Sequence, residues 1–242
     1  MPTNHHPTRS GSISLSLPGQ SHRARNVISS SGAGVRVKFA GRKRSCPTHC
    51  EGPLERDACP LFEACLRIVT YQEQPRTIHY LDCDGVQRHY TPDFEITLED
   101  GSTILVEVKH TAELRRPDVK KKFETLSAHF AHQGQPFVIL DERQIRREPR
   151  RTNLRRILWQ APRVLPTAAR YRHAIRLAAL PSMTTLADAK RALAKHHLDP
   201  FGAMLRGVIH FDLDTPLQPS TPLFICQESD HAWFQLAPRF GV

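Results

Sequence analysis

Asp93, Glu107 and Lys109 are the residues of this 242-residue chain whose types and spacing suit chemistry on a phosphate. They lie in the stretch Tyr90 to His110, where two alternating apolar and polar runs flank Glu99-Asp100-Gly101, the pattern of a β-hairpin. Side chains alternate along a strand, so Glu107 and Lys109 share one face, about 6.6–7 Å apart, while Ile104, Val106 and Val108 face away. The turn decides whether Asp93 joins them. A two-residue Asp100-Gly101 turn pairs Asp93 with Val108, on the wrong face. A three-residue loop, Glu99 to Gly101 with Gly101 left-handed and forming a bulge, pairs Asp93 with Glu107. We predict the three-residue loop. Two carboxylates and an amine at strand ends make a hard oxygen site for Mg²⁺ or Mn²⁺. Such a site holds a scissile phosphate and acidifies a water, with Lys109 orienting the water or offsetting charge on the phosphorus oxygens. A lone Glu-x-Lys is more often an exposed strand facing water. The conjunction of Pro-Asp opening one strand, Glu-Val-Lys ending the next and an apolar opposite face argues for chemistry.

The charge is distributed as a polyanion-processing enzyme requires. Of the net +10, residues 1–50 carry eight Lys/Arg and no acid, 51–140 carry ten basic and fifteen acidic residues, and 141–176 carry eleven and three. Basic blocks thus flank an acidic centre, and double-stranded DNA is the expected partner. A basic protein whose flanks serve solubility or an acidic protein partner is the alternative. No apolar run approaches the roughly 18–20 residues that span a bilayer, and no signal-peptide core is visible. A soluble, cytoplasmic, nucleoid-associated bacterial protein with no membrane partner is expected. Six cysteines suit a reducing compartment. Cys46 and Cys50, with Cys59 and Cys65, raise a zinc site, but paired Cys-x-x-Cys spacing is lacking, and ordinary thiols are the default.

The positioning elements read as an α/β fold. Residues 1–34, rich in Ser, Gly, Pro, His and Arg, form a flexible basic arm. Val35 to Phe39 alternates briefly, and Arg42-Lys43-Arg44 follows, either contacting DNA or lying on a solvated tail. Gly52 to Val69 has helical apolar spacing, with Pro60 expected to bend it. Glu55 lies in the first turn, where it either favours the helix dipole or reaches the metal face. A strand over Thr77–Leu81, a turn over Asp82–Gly85 and a return strand lead to Asp93. Gln74, before them, either positions substrate or satisfies backbone groups, the second being preferred. A helix over Pro117–His132 carries the run Lys120, Lys121 and Lys122, candidate phosphate contacts or a solvated face. Phe137-Val-Ile-Leu140 suits a buried strand beside the Glu107 strand after the helical crossover.

Pro53-Leu-Glu-Arg-Asp57, Tyr71-Gln-Glu-Gln-Pro75, Tyr90-Thr-Pro-Asp-Phe94 and Val106-Glu-Val-Lys109 recur in that order. Over about residues 35–150 the chain thereby resembles TnsA-like transposase endonuclease subunits, of the PD-(D/E)xK restriction-endonuclease-like superfamily. The resemblance implies a restriction-endonuclease-like core with a mixed central sheet flanked by helices. It implies catalytic Glu55, Asp93 and Lys109, with Glu107 in the variable acidic slot, and Mg²⁺. The implied reaction is hydrolytic nicking at the 5′ ends of a transposon, while a partner transposase with an RNase-H-like fold cuts the 3′ ends. A stand-alone restriction or repair nuclease, and an inactive DNA-binding assembly factor, are the alternatives. Pro60 and the long polar start depart from the family pattern.

Beyond Asp141 the resemblance thins. The dense segment holding Arg143, Arg146, Arg147, Arg150, Arg151, Arg155 and Arg156 is expected to contact phosphates, because such arginines repel one another unless an anion is near. Residues 151–242 read as helices over Thr167–Leu180, Thr184–His196 and Pro200–Ile209, then a hairpin through Leu223–Cys226. That order suggests a helical, winged-helix-like domain. By analogy with the family it would bind the transposase and an ATPase regulator. Phe201 to Ile209 offers only Arg206, which argues against base readout.

Overall fold

The computed structural model describes residues 37–82, 84–226 and 234–240; the expected arm, residues 1–34, lies outside them. Strands β1 (Val37–Phe39) and β2 (Thr48–Cys50) form an antiparallel pair ahead of helix α1 (Pro53–Ala64). Pro53 opens α1 at a position where its missing N–H costs nothing. The helix runs on through Pro60, and it ends at Ala64, five residues before the expected Val69. Cys65 is extended, and β-branched Ile68-Val69-Thr70 enters strand β3 (Ile68–Glu73).

Strands β4 (Ile78–Leu81) and β5 (Gln87–Tyr90) make a separate hairpin, so the chain does not run straight from β5 into the Asp93 strand. Strands β6 (Phe94–Leu98) and β7 (Thr103–Val108) are the central hairpin, pairing Phe94 with Val106 and Thr97 with Thr103. The Leu98 N–H bonds Ser102 O, and Gly101, at φ +81°, donates back to Leu98 O. This is the three-residue loop, and continuing its register sets Asp93 opposite Glu107. The short helix α2 (Thr111–Leu114) and helix α3 (Pro117–His132) cross over to β8 (Phe137–Leu140), parallel to β7. The four-stranded sheet, in the order β3-β6-β7-β8, is mixed and lies between helices. One face, with Phe94, Ile96, Ile104, Val106 and Val108, packs under α1. The other, with Leu105 and Phe137, packs under α3 and the β4–β5 hairpin through Phe123, Leu126, Phe130 and Tyr90. Both faces are therefore buried, and Glu107 is only 4% exposed.

After β8 come α4 (Glu142–Ile145), capped by Asp141, and α5 (Arg150–Gln160). Helix α5 packs against α1 and also against α8 (Pro200–Met204), so the expected boundary near residue 150 falls on an element shared by both sides. The remainder comprises α6 (Ala168–Leu177), β9 (Met183–Thr185), α7 (Leu186–Ala194), α8, β10 (Ile209–His210) and β11 (Pro222–Ile225). The three strands form an antiparallel sheet in the order β10-β11-β9. Thr184 and Ile209, expected in helices, are strand residues. Thr185 ends β9 and caps α7 by accepting the Asp188 N–H at 3.1 Å.

Most of the expected DNA-contacting cations are committed inside the fold. Arg42 donates to the carbonyls of Leu158, Ala161 and Pro162 at the end of α5. Lys43 donates to Phe62 O and Cys65 O at the end of α1, where a cation suits the helix dipole. Arg44 pairs with buried Glu73. Arg146 and Arg151 each reach Asp57 at 2.9 Å, and Arg147 and Arg150 reach Asp214 at 2.8 and 3.0 Å. At Arg146, Arg147, Arg150 and Arg151 the protein's own Asp57 and Asp214 supply anions, so the arginine density by itself does not require a phosphate there. Lys120 and Lys121 remain at the surface, beside Glu124 and Asp84.

Candidate active site

Glu55, Asp93, Glu107 and Lys109 gather at one end of the central sheet. Asp93 immediately precedes β6; its Oδ2 accepts the Val108 N–H at 2.7 Å, which pins the carboxylate to the end of β7. The Gln74 N–H bonds Asp93 O at 2.9 Å, tying β3 to the same point. Glu107 accepts from the Tyr90 hydroxyl at 2.5 Å, and Lys109 Nζ stands 3.8 Å from Glu107 Oε1 and 3.7 Å from Glu113 Oε2. Glu55, in the first turn of α1, accepts the Glu51 N–H at 2.7 Å.

The charges feel one another. Burial first, and then Asp93, push Glu55 up to about 8. Burial and the charge of Glu107 raise Asp93 against the opposing pull of the Val108 N–H and Lys109. Burial raises Glu107 although Tyr90, Lys109 and Lys122 favour its charge. Burial disfavours the Lys109 ammonium, but Glu107, Asp93 and Glu113 outweigh it and raise its pKa. Three carboxylates crowd one ammonium, and the excess negative charge suits a hard divalent cation. The donor chemistry therefore fits Mg²⁺ or Mn²⁺. No three His, Cys, Asp or Glu among the described residues stand in a geometry that could hold an ion as they are. Glu55, Asp93 and Glu107 each commit one oxygen to a protein donor, so side-chain rearrangement would accompany binding.

Tyr90, Glu51 and Glu113 belong to the same neighbourhood and were given no role from sequence; Lys122, expected only as a phosphate contact or part of a solvated face, joins them. Lys122 Nζ lies 5.0 Å from the Tyr90 ring centroid, reaching the site from α3. Only the crossover geometry brings it there; in sequence it is the third lysine of a polar run. Among the described cysteines, Cys50 and Cys59 are buried with sulfurs 4.0 Å apart, and the Cys59 thiol donates to Glu55 O at 3.5 Å.

Residues 66–142 match the family described as TnsA-like endonuclease N terminal. The match includes Asp93, Glu107 and Lys109 and stops short of Glu55. No curated protein matches the chain significantly. No helix among the described residues is long and apolar enough to cross a membrane.

Proposed function

We propose that this chain, whose residues 66–142 form a TnsA-like endonuclease domain, is the DNA-cutting subunit of a heteromeric transposase. It hydrolyses phosphodiester bonds at the 5′ ends of a transposon, with a partner transposase of RNase-H-like fold acting at the 3′ ends. The observation that carries this reading is the meeting of a nuclease-family match with three mutually repelling carboxylates and a lysine. Asp93, Glu107 and Glu55 would hold the divalent ion, which supplies Lewis acidity and a more acidic water. Asp93 is held by the Val108 N–H and Glu107 by Tyr90, each through one oxygen, so both carboxylates stay at the end of the sheet while their side chains adjust to the ion. Lys109 sits where its ammonium offsets charge on the phosphate. The C-terminal order of helix, strand, two helices and two strands in an antiparallel sheet supports a winged-helix-like reading. That domain would meet the transposase and an ATPase regulator.

The test is Lys109→Ala in a donor-excision assay reconstituted with a partner transposase of RNase-H-like fold. Loss of 5′-strand nicking, with folding and 3′-strand cleavage intact, is expected. Undiminished 5′ nicking would place catalysis elsewhere.

A further inference from the structure

A second basic surface lies beside the acidic site and is not absorbed by it. Between α1 and α5 runs a groove of about 1150 Å³ lined by seven arginines and two carboxylates, Asp57 and Glu63. Both carboxylates are committed: Asp57 to Arg56, Arg146 and Arg151, Glu63 to the Arg42 N–H and the Tyr71 hydroxyl. Arg155 and Arg163, on the rim, meet no carboxylate among the described residues, and Arg163 is close enough to Arg42 to disfavour its charge. On the same rim Trp159 is 84% exposed, and Val164 nearby is 85% exposed. A tryptophan this bare costs apolar surface in water unless a partner covers it.

We propose that this groove seats a single strand of DNA, with Arg155 and Arg163 on phosphates and the Trp159 indole stacked on an unpaired base. The inference rests on the nuclease reading and deepens it. Excess guanidinium charge beside an open aromatic face is how sequence-tolerant single-strand sites are built. Residues 1–36 contain no acidic side chain and so offer this groove no complementary charge. The position is also right. Arg56, at one end of the groove, directly follows Glu55 of the acidic cluster, and the α1 stretch from Arg56 to Glu63 runs about 10 Å. A duplex keeps its base faces stacked inward and leaves the indole uncovered, so an unpaired strand at the cut site is the fitting occupant.

Tryptophan emission of the full chain, titrated without divalent cation, tests this. The only other tryptophan, Trp233, provides the background in Trp159→Phe. A single-stranded oligonucleotide is expected to quench the parent and not Trp159→Phe. Trp159→Ala should weaken binding about 5- to 160-fold. Arg155→Ala/Arg163→Ala should reduce the salt slope by about 1.4, the share of two phosphate contacts. Three results each overturn the proposal: no quenching, duplex bound equally with Trp159 emission unchanged, or polyglutamate quenching where the oligonucleotide does not. Lys109→Ala separates the two readings. Cutting that survives it sinks the Lys109 site on which the nuclease reading rests, whatever the groove does, whereas absent quenching alongside Lys109-dependent cutting sinks only the groove.

Discussion

Raising the pH of the metal-free chain from 5 to 8 should lower its thermal stability, and Glu55 sets much of the size of the fall. Its carboxyl is moved from an ordinary 4.5 to about 8, by burial first and Asp93 second. Between those values the folded state holds a proton that the unfolded chain has lost, so stability declines as pH rises through the window. A move of that size corresponds to about 5 kcal/mol. Residual contact of Glu55 with solvent reduces this to about 2–3 kcal/mol. For a chain of this length that is a drop in melting temperature of about 4–12 °C. Asp93 and Glu107, both raised, act in the same direction. Lys43, pushed down to about 8 chiefly by burial, acts oppositely, but only above pH 8. Melting curves at pH 5, 6, 7 and 8, with and without Mg²⁺, read the effect. Mg²⁺ should stabilise the chain more at pH 8 than at pH 5, because ions and protons compete for the same oxygens. In Glu55→Gln the metal-free slope should flatten. A melting temperature unchanged between pH 5 and 8, or a full-sized fall that persists in Glu55→Gln, would refute the reasoning.

Asp57→Asn should cost about 2–3 kcal/mol in chemical denaturation, because it strands Arg56, Arg146 and Arg151 around a side chain only 7% exposed, though the arginines keep some water. The Asp57 carboxyl is held below its ordinary value because those arginines outweigh burial; its contribution is therefore present above about pH 4 and lost in acid, and Asp57→Asn should show a correspondingly smaller loss of stability below pH 4. Tyr90→Phe removes the hydrogen bond that favours the Glu107 charge, so the acid limb of the cleavage pH profile should move to higher pH; an unmoved limb would detach Glu107 from activity. Gly202→Ala places a methyl 2.0 Å from the hydroxyl of fully buried Tyr171 and should cost about 1–3 kcal/mol, whereas Gly52→Ala, with nothing within 4 Å, should cost no more than about 1 kcal/mol.

The central hairpin was legible in the sequence because its determinants are local: a two-residue period, a glycine at the left-handed loop position, and the parity that puts Asp93 opposite Glu107. The α3 crossover and the buried β8 strand were legible for the same reason, since helical period and an unbroken apolar run act over short spans. Where propensities compete, local reading failed: β-branched Ile68 to Thr70 ended α1 early, and Met183 to Thr185 became the strand that the C-terminal sheet required. The destination of the charges was least visible, because it depends on residues 20 to 120 positions away. Arg42 finds the end of α5, Lys43 the end of α1, and Arg146 and Arg151 find Asp57. From composition alone a desolvated internal pair and a free phosphate clamp look the same. The sequence by itself determined which side chains can do phosphate chemistry; only the tertiary structure decided which cations are already satisfied and which, at Arg155 and Arg163, still face an open groove.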